Sequence, residues 1–247
     1  MVMAKRVSLI LTTYNCKENL LKTFRSIEEQ DYPDIEVCIS DSCSTDGTLD
    51  VIKEYALSSK HSVVYKSEKD FGIYDGINRS IQMSSGDYLE IMNDEYTCTD
   101  AISKLVGAIE EGVVGSHADL VYKDGDTVRR YWKMGNGTIR SGWMPGHPSL
   151  MLKREVYEKY GLYNTDYVCS ADYEFMIRFL KDGNKLAYVP EILISMFYGG
   201  TSTSTAASYT TSIKEALRAL KENGVKGRLV ITWLRTLRVM GQFFSGK

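Results

Sequence analysis

Four short apolar runs recur along the first 92 residues of the chain, each followed by polar residues. The first two, VSLILT and IEVCIS, are rich in β-branched residues and almost continuously apolar, which is typical of strands buried on both faces. Behind the first run, Leu20, Phe24 and Ile27 recur at the spacing of one helix face. This alternation of strands and helices predicts a parallel, doubly wound α/β sheet. Its first four strands are expected at residues 7–12, 35–40, 62–66 and 87–92.

The pattern of the second half is less regular. We expect a helix, a hairpin that turns at Asp124 and Gly125, a glycine-rich loop, two further helices and a pair of strands. These lie at residues 100–111, 118–132, 134–149, 153–160 and 171–181, and within 186–197. No linker-like break separates the two halves, so residues 1–205 are interpreted as one domain and residues 206–247 as a helical extension.

The extension ends in an amphipathic segment without a single acidic residue after Glu222. One face of a helical wheel carries mainly large apolar side chains, while Arg228, Arg235 and Arg238 lie towards the other. The apolar face consists of Val230, Trp233, Leu234, Leu237, Met240 and Phe244. Such a helix can lie in a membrane interface, and it can equally pack on the domain as a capping helix. We favour the membrane surface as its partner.

Composition excludes several classes of protein. The 247 residues are 43% apolar and 25% charged, which is average for globular proteins and excludes disordered or fibrous chains. A net charge of −2 does not favour a nucleic-acid partner. Five cysteines without a CxxC pair argue against a disulfide framework or a zinc site and favour a reducing cytosol. The chain contains no run of about 18 apolar residues, so the sequence predicts no membrane-spanning helix.

Acidic residues follow the predicted strands at the points where each strand ends. They are Asp41, Asp70, Asp75, Asp94 and Glu95. Because ligands bind outside the carboxyl ends of the strands in open α/β sheets, we expect these carboxylates along one edge. Crowded carboxylates suit Mg²⁺ or Mn²⁺, which completes its coordination with water and phosphate oxygens, as from a nucleoside diphosphate. The alternative for Asp75, and for Asp46 in the loop after the second strand, is a helix cap.

The order and spacing of several motifs resemble the family 2 glycosyltransferases with the GT-A fold that build bacterial surface polysaccharides. The motifs are VSLILTTYN, ISDSCSTDGT, SEKDFGIYDGIN and GDYLEIMNDEY, followed by HPSLMLKREVYEKYGLYNTDY, SADYEFMIRF and MFYGGTSTS. The resemblance covers about residues 5–205. It implies a Rossmann-like mixed sheet flanked by helices, with a nucleotide-sugar-binding half at residues 1–98 and an acceptor-binding half at 99–205.

Carried over by position, the resemblance implies a set of donor-binding residues. Asp41 accepts a hydrogen bond from the base, usually uracil, and Asp94 with Glu95 stands for the acidic motif that binds Mn²⁺ or Mg²⁺. The remaining nucleotide-sugar residues are Thr13, Tyr14, Asn15, Asp70, Asp75 and Asn93. The family commonly has Asn-Ser-Asp-Asp where this chain has Asn93-Asp94-Glu95-Tyr96. A non-catalytic nucleotide- or sugar-binding relative with a degenerate metal site therefore remains the alternative.

On the acceptor side, Asp172 matches the family's catalytic base, which takes the proton of the acceptor hydroxyl in an inverting transfer. It stands in the first turn of a predicted helix, where an acid is also favoured by the helix dipole alone. His147 and Trp143 would meet the acceptor, although either can be structural. The glycine- and serine-rich residues 199–204 are a candidate cover or a plain connector. The resemblance implies transfer from a nucleotide-diphosphate sugar, usually a UDP-sugar, to a hydroxyl of a glycan. The basic amphipathic helix of the extension predicts that this acceptor is lipid-linked, as on a polyprenyl diphosphate, and that the enzyme lies at the inner face of the cell membrane.

Overall fold

The computed structural model describes residues 5–197 and 206–242. The amino-terminal half alternates strands and helices as the sequence predicts. Its elements are β1 (Val7–Thr13), α1 (Lys17–Glu28), β2 (Ile35–Asp41), α2 (Thr48–Ser58), β3 (Ser62–Ser67), α3 (Ile73–Met83) and β4 (Tyr88–Ile91). Strands β1 to β4 pair in parallel. Apolar side chains of β1 enter both cores, with Leu9 and Leu11 on one face and Ile10 on the other.

The carboxy-terminal half adds strands of both directions and a helical cap. Its elements are β5 (Glu95–Tyr96), α4 (Ala101–Gly107), β6 (Gly115–Asp124), β7 (Thr127–Trp132), β8 (Leu150–Lys153), α5 (Arg154–Tyr160), α6 (Ala171–Leu180), β9 (Leu186–Phe197), α7 (Ala206–Glu222) and α8 (Arg228–Gly241). The glycine-rich loop, residues 134–149, joins β7 to β8 and contains two short 3-10 turns, Ile139–Ser141 and His147–Ser149.

The nine strands of the described residues form one mixed sheet in the order β3-β2-β1-β4-β8-β6-β9-β5, with β7 paired to β6. The parallel doubly wound pattern expected from the sequence therefore holds only for the first four strands. Strand β8 runs antiparallel to both β4 and β6, whereas β6 and β9 are parallel. Because β8 reverses the direction, the sheet is the mixed one that the family resemblance implies.

Several elements differ from the sequence prediction. Strands β5 and β8 were not predicted, and β6 begins at Gly115, before the predicted hairpin. The helix expected to Glu111 ends at Gly107. The pair of strands expected between residues 186 and 197 is one strand, β9, whose pairing with β6 is irregular around Asp119. Ala118 pairs with Val189 but Asp119 pairs with Ile192, so the register skips Pro190, which has no N–H for a sheet ladder. A break in the sequence pattern is thus a bulge within a continuous strand.

The carboxy-terminal helices pack on the domain. Helix α7 lies against α6, and α8 lies against α7 and the turn Ile139–Ser141. Ile231 and Thr232 of α8 are buried, while five other large apolar side chains of the helix are exposed. The exposed residues are Leu229, Val230, Trp233, Leu237 and Met240. Within the described ranges, every helix is too short or too polar to cross a membrane. Phe244 and the candidate cover at 199–204 lie outside the described residues.

Candidate functional site

The carboxyl ends of β1, β2 and β3 are joined through the carboxylate of Asp41, which is fully buried. Thr13 Oγ1 donates to Asp41 Oδ1 over 3.0 Å, and Ser67 Oγ donates to Oδ2 over 2.6 Å. Ser44 donates twice, from its hydroxyl to Oδ1 (2.5 Å) and from its backbone N–H to Oδ2 (3.1 Å). Both carboxylate oxygens therefore have two donors from the protein itself, and Asp41 holds the adjoining loops in place.

The loop after β1 is fastened to the loop after β2 by Asn15. Its backbone has the left-handed conformation (φ 47°), and its side-chain oxygen accepts the Thr45 N–H at 2.8 Å. Asn15 does not cap α1, which begins at Lys17, because its side chain is used in this contact between loops. Tyr14 stands between these fixed residues with 66% of its surface exposed, so its ring is available to a ligand at this edge.

Asp70 approaches the end of β1 through the close packing of α3. A Cβ on Gly76 would lie only 2.2 Å from Thr12 Oγ1 and 3.0 Å from Asp70 Oδ2. The Gly72 N–H donates to Asp70 Oδ1 over 3.1 Å, which orients the carboxylate. The absence of a side chain at Gly76 therefore brings the Asp70 carboxylate to the edge where β1 ends.

Two other acidic residues have structural partners. Asp75 forms an ion pair with Arg79 at 2.8 Å and accepts the Phe71 N–H at 3.1 Å, both through Oδ2. Asp46 Oδ1 accepts the N–H of Thr48 at 3.0 Å, the first residue of α2. Asp46 therefore satisfies a free backbone N–H at the start of α2 from the position before its N-cap, Gly47, and Asp75 orders the turn that leads into α3.

The acidic motif begins at the end of β4. Asn93 Oδ1 accepts the Thr12 N–H over 3.0 Å, and Asp94 Oδ1 accepts the Phe197 N–H over 3.2 Å. Burial raises the pKa of Asp94 to about 7, and the neighbouring Glu95 carboxylate acts in the same direction. Asp94 is 8% exposed, whereas Glu95 is half-buried in β5.

The donors of this motif fit a divalent cation that takes most of its ligands from elsewhere. In the described ranges, no three His, Cys, Asp or Glu side chains form a metal-binding group. Mg²⁺ usually takes one or two protein carboxylates and fills its other positions with water and phosphate oxygens. Asp94 and Glu95 supply such a pair of hard oxygen donors. Of their four carboxylate oxygens, only Asp94 Oδ1 accepts a hydrogen bond from a described residue, so no described donor competes with a cation for the others. A cation would also favour the ionised form of the buried Asp94.

Asp172 stands in the first turn of α6 and is half-buried. Its carboxylate accepts a hydrogen bond from the hydroxyl of Tyr74 at 3.1 Å, which links α3 of the first half to α6 of the second. Burial raises the pKa of Tyr74, and the charge of Asp172 raises it further. Ser170 precedes the helix, but its hydroxyl contacts Ser212 of α7 rather than capping α6.

His147 lies in the same neighbourhood as Asp172. Its Nε2 is 2.7 Å from the hydroxyl of Tyr163, whose ring stacks on Tyr74 with centroids 5.9 Å apart. Burial lowers the pKa of His147, and the Asp172 charge acts in the opposite direction. His147 is therefore part of an aromatic cluster around Asp172 that sequence reasoning did not identify, although both tyrosines lie within the motifs quoted above.

Trp143 anchors the glycine-rich loop. It is 5% exposed, and its indole N–H donates to the carbonyl of Met134 over 2.9 Å. Its ring meets His117 edge-on, with centroids 5.3 Å apart. Of the two roles considered for Trp143, these contacts correspond to the structural one.

Arg130 is a half-buried charged residue of β7 that the sequence did not single out. Its guanidinium lies 4.5 Å from the ring centre of Tyr122 and donates to the side-chain oxygen of Gln242 at the end of α8. Burial raises the pKa of Tyr122, Arg130 lowers it, and the charges of Asp94 and Asp172 raise it. The Tyr122 ring, with the Arg130 guanidinium over it, is thus within electrostatic reach of both Asp94 and Asp172. The pair Arg129-Arg130 in the hairpin was the only signal, and it is common on exposed strands.

A family model described as Glycosyl transferase family 2 matches residues 8–180, well over half of the chain. This chain is a family 2 glycosyltransferase. Two curated relatives match the glycosyltransferase over nearly its whole length. A dolichyl N-acetyl-alpha-D-glucosaminyl phosphate 3-beta-D-2,3-diacetamido-2,3-dideoxy-beta-D-glucuronosyltransferase of Methanococcus voltae is 27% identical, over 92% of this chain and 77% of the relative. The UDP-Glc:alpha-D-GlcNAc-diphosphoundecaprenol beta-1,3-glucosyltransferase WfaP of Escherichia coli is 25% identical, over 89% and 87%.

A solved structure confirms the fold of the glycosyltransferase. The mannosyltransferase PcManGT of Pyrobaculum calidifontis, solved with GDP-Man and Mn²⁺, superposes with a TM-score of 0.65 at 18% identity. The match covers all of this chain and 77% of the mannosyltransferase. The mixed sheet flanked by helices is thus that of the GT-A glycosyltransferases.

Proposed function

We propose that this enzyme transfers a sugar from a UDP-sugar to a hydroxyl of a lipid-linked glycan acceptor, with inversion at the anomeric carbon. The observation that carries the proposal is the position of Asp172. Asp172 is half-buried, and its charge opposes the lowering of the pKa of His147 by burial. His147 in turn contacts the Tyr163 hydroxyl. Burial raises the pKa of Tyr122, and the charges of Asp94 and Asp172 both raise it further, so the two carboxylates lie near the same ring. A base for the acceptor and an acidic motif for the donor would thus face one substrate site.

In the proposed reaction, Asp172 takes the proton of the acceptor hydroxyl as that oxygen attacks C1 of the sugar. The bond from C1 to the diphosphate breaks on the opposite side, and UDP leaves. The hydroxyl of Tyr74 holds the Asp172 carboxylate in orientation, and His147 with Tyr163 borders the acceptor. A bound Mn²⁺ or Mg²⁺, held by Asp94 and Glu95, would neutralise the charge of the departing diphosphate. The nearby Arg130 would add a fixed positive charge at the same edge.

The donor pocket is proposed at the ends of β1 and β2. Tyr14 would contact the base with its exposed ring, Asn93 would hold the end of β1, and Asp70 would face the nucleotide or sugar. Asp41 would fix the pocket through Thr13 and Ser44. A direct hydrogen bond from the base to Asp41 would need the Ser44 hydroxyl, now 2.5 Å away, to turn aside.

A lipid-linked acceptor is supported by two independent observations. The names of both curated relatives specify acceptors on polyprenyl phosphate or diphosphate carriers. Helix α8 exposes five large apolar side chains, and the chain has no acidic residue beyond Glu222. We therefore propose that the enzyme is peripheral on the cytoplasmic face of the cell membrane, with α8 at the interface.

The proposal is tested by replacing Asp172 with Asn and measuring sugar transfer and UDP binding separately. We expect Asp172→Asn to lower the transfer rate by about 10²–10⁴-fold, because a general base contributes that much. Calorimetry with UDP and Mn²⁺ should give an unchanged Kd. The matched control is Asp166→Asn, an exposed acid of the same segment, which should keep wild-type transfer.

The substrates for this test come from a screen of UDP-, GDP- and dTDP-sugars with a lipid-diphosphate-linked acceptor. The product should have the anomeric configuration opposite to that of the donor. Wild-type turnover in Asp172→Asn would refute the base assignment. Failure of the wild type both to bind UDP and to transfer any sugar would instead favour the non-catalytic alternative.

A further inference from the structure

The side of α8 next to its exposed apolar face is built against the glycine-rich loop. A Cβ on Gly142 would lie only 2.5 Å from the backbone nitrogen of Arg235 and 2.9 Å from Cβ of Leu234. Arg238 Nε donates to the carbonyl oxygen of Ser141 over 3.0 Å. Because Leu234 and Arg238 are one turn apart, they share the side of α8 that meets the loop. The helix and the loop thus form one continuous wall.

Three arginines, Arg140, Arg235 and Arg238, lie along this wall. Arg140 is exposed on the turn Ile139–Ser141, next to the carbonyl that fixes Arg238. Arg235 lies over the ring of Tyr173 at 4.6 Å, beside the first turn of α6 that carries Asp172. Among the described residues, no carboxylate forms a salt bridge with any of these three arginines. The wall therefore offers guanidinium groups to an external anion.

The two properties of the wall match one kind of ligand. Guanidinium groups bind phosphate oxygens through paired N–H donors, so they suit a diphosphate. The exposed side chains of Trp233 and Leu237 lie on the outer face of the same helix, and they suit a hydrocarbon chain. A diphosphate attached to a long apolar chain has both parts in this arrangement.

We propose that α8 and the glycine-rich loop bind the lipid diphosphate of the acceptor. Arg140 and Arg238 contact the diphosphate, Arg235 positions α8 against Tyr173, and the lipid chain lies along the apolar face of α8. This inference rests on the proposed function, because only a glycosyltransferase with a lipid-linked acceptor has such a ligand. It assigns the recognition of the carrier to the extension together with the glycine-rich loop of the domain that holds Asp172.

The tethering of Arg238 favours a diphosphate over the general surface of an anionic bilayer. A bilayer attracts basic residues through net charge and requires no fixed geometry. Here the guanidinium of Arg238 is held by the backbone of the turn that carries Arg140. In a lipid-linked acceptor, the sugar with the reacting hydroxyl separates that hydroxyl from the diphosphate. Arginines that bind the diphosphate should therefore lie near Asp172 but not contact it. The position of Arg235 over Tyr173, the residue after Asp172, agrees with this.

The test is calorimetric titration of the full chain with farnesyl diphosphate, a short lipid diphosphate without sugar. We expect Arg140→Ala/Arg238→Ala to raise the Kd at least tenfold. The matched control, Lys226→Ala/Arg228→Ala, removes two exposed positive charges at the other end of α8. It should change the Kd by less than twofold.

Further ligands separate the possible sources of binding. Farnesol and inorganic pyrophosphate, each with one part of the ligand, should bind more weakly than farnesyl diphosphate. The inference is overturned if the wild type does not bind farnesyl diphosphate or if the two double variants lose equal affinity. It is also overturned if Arg140→Ala/Arg238→Ala weakens co-sedimentation with phosphatidylglycerol vesicles as much as it weakens the binding of farnesyl diphosphate, which would mark a general membrane surface. UDP with Mn²⁺, titrated into the same samples, reports on the proposed function independently.

Discussion

Glu90 lies at the centre of the sheet on β4, between Leu9 of β1 and Met151 of β8, with no exposed surface. The hydroxyl of Tyr96 donates to its Oε2 at 2.7 Å, while Oε1 has no hydrogen-bond donor among the described residues. Burial raises the pKa of Glu90 to about 8, against the lowering effect of the Tyr96 hydroxyl. The folded protein therefore holds this proton more tightly than the unfolded chain does.

The protonation of Glu90 predicts a dependence of stability on pH. Its contribution is fully present below the ordinary glutamate pKa and is lost progressively as pH rises from about 4.5 through about 8. Glu90→Gln keeps the shape without the charge, so its free energy of unfolding should fall less over this interval, by a few kcal/mol. Urea unfolding at pH 5, 6.5 and 8 measures the difference. Glu158→Gln, at an exposed position, should retain the wild-type profile, and parallel profiles for Glu90→Gln would contradict the assignment.

At the residue scale, the sequence located acidic groups better than it described their surroundings. Asp94 was placed at the end of a buried strand, and Asp172 at the start of a helix, because strand and helix patterns fix such positions. The hydroxyl of Tyr74 on Asp172 joins segments 98 residues apart, and no local pattern contains that contact. Arg130 was missed for the same reason, since only the pairing of β6 with β7 brings it over Tyr122.

At the element scale, the position of α3 depends on one glycine. Gly76 lies in the first turn of α3, where a methyl group would overlap Thr12 Oγ1 of β1. Gly76→Ala would force α3 away from the strand, and overpacking of this kind costs about 1–3 kcal/mol of stability. The same shift would move Asp70, so we expect weaker UDP binding as well.

Thermal unfolding and calorimetry with UDP would measure both effects of Gly76→Ala. Gly107→Ala is the control, because Gly107 also belongs to a helix and a methyl group added there would have nothing within 4 Å. It should leave UDP binding unchanged and should not lower the stability, because alanine favours the helical backbone over glycine. Wild-type UDP affinity in a destabilised Gly76→Ala would show that Asp70 does not depend on this contact.

Strand prediction succeeded where one strand forms one apolar run. β1 and β2 are buried along nearly all of their length, and their runs are unmistakable. β9 was divided in two because Pro190 and Glu191 interrupt the apolar pattern. The skipped register against β6 absorbs both residues, and a bulge of this kind depends on the partner strand rather than on the local sequence.

At the scale of the whole molecule, α8 faces in two directions. Its wheel pattern was consistent with either a membrane-surface helix or a packed cap, and the structure has features of both. Ile231 and Thr232 are buried against the domain, while Trp233 and Leu237 are exposed. A wheel shows which residues share a face, but it does not show which face a neighbouring element will cover.

The outward face of α8 predicts membrane binding that point variants can test without removing the helix. Trp233→Ser/Leu237→Ser should lower co-sedimentation with vesicles at least tenfold, because each buried apolar side chain contributes about 1.5–3 kcal/mol. Leu57→Ser is the control, since Leu57 is 90% exposed on α2. Equal sedimentation of wild type and the double variant would exclude α8 as the membrane contact.

Strand β9 occupies an inner place in the sheet although it follows all the other described strands along the chain. It lies between β6 and β5 and supplies the parallel partner for nearly the whole of β6. A nascent chain that stops before residue 186 therefore already contains the other described strands but leaves one edge of β6 without a partner strand. Unpaired strand edges form hydrogen bonds with strands of other chains and so favour aggregation. During synthesis, protection against aggregation thus depends on a segment that is translated after all the strands it completes.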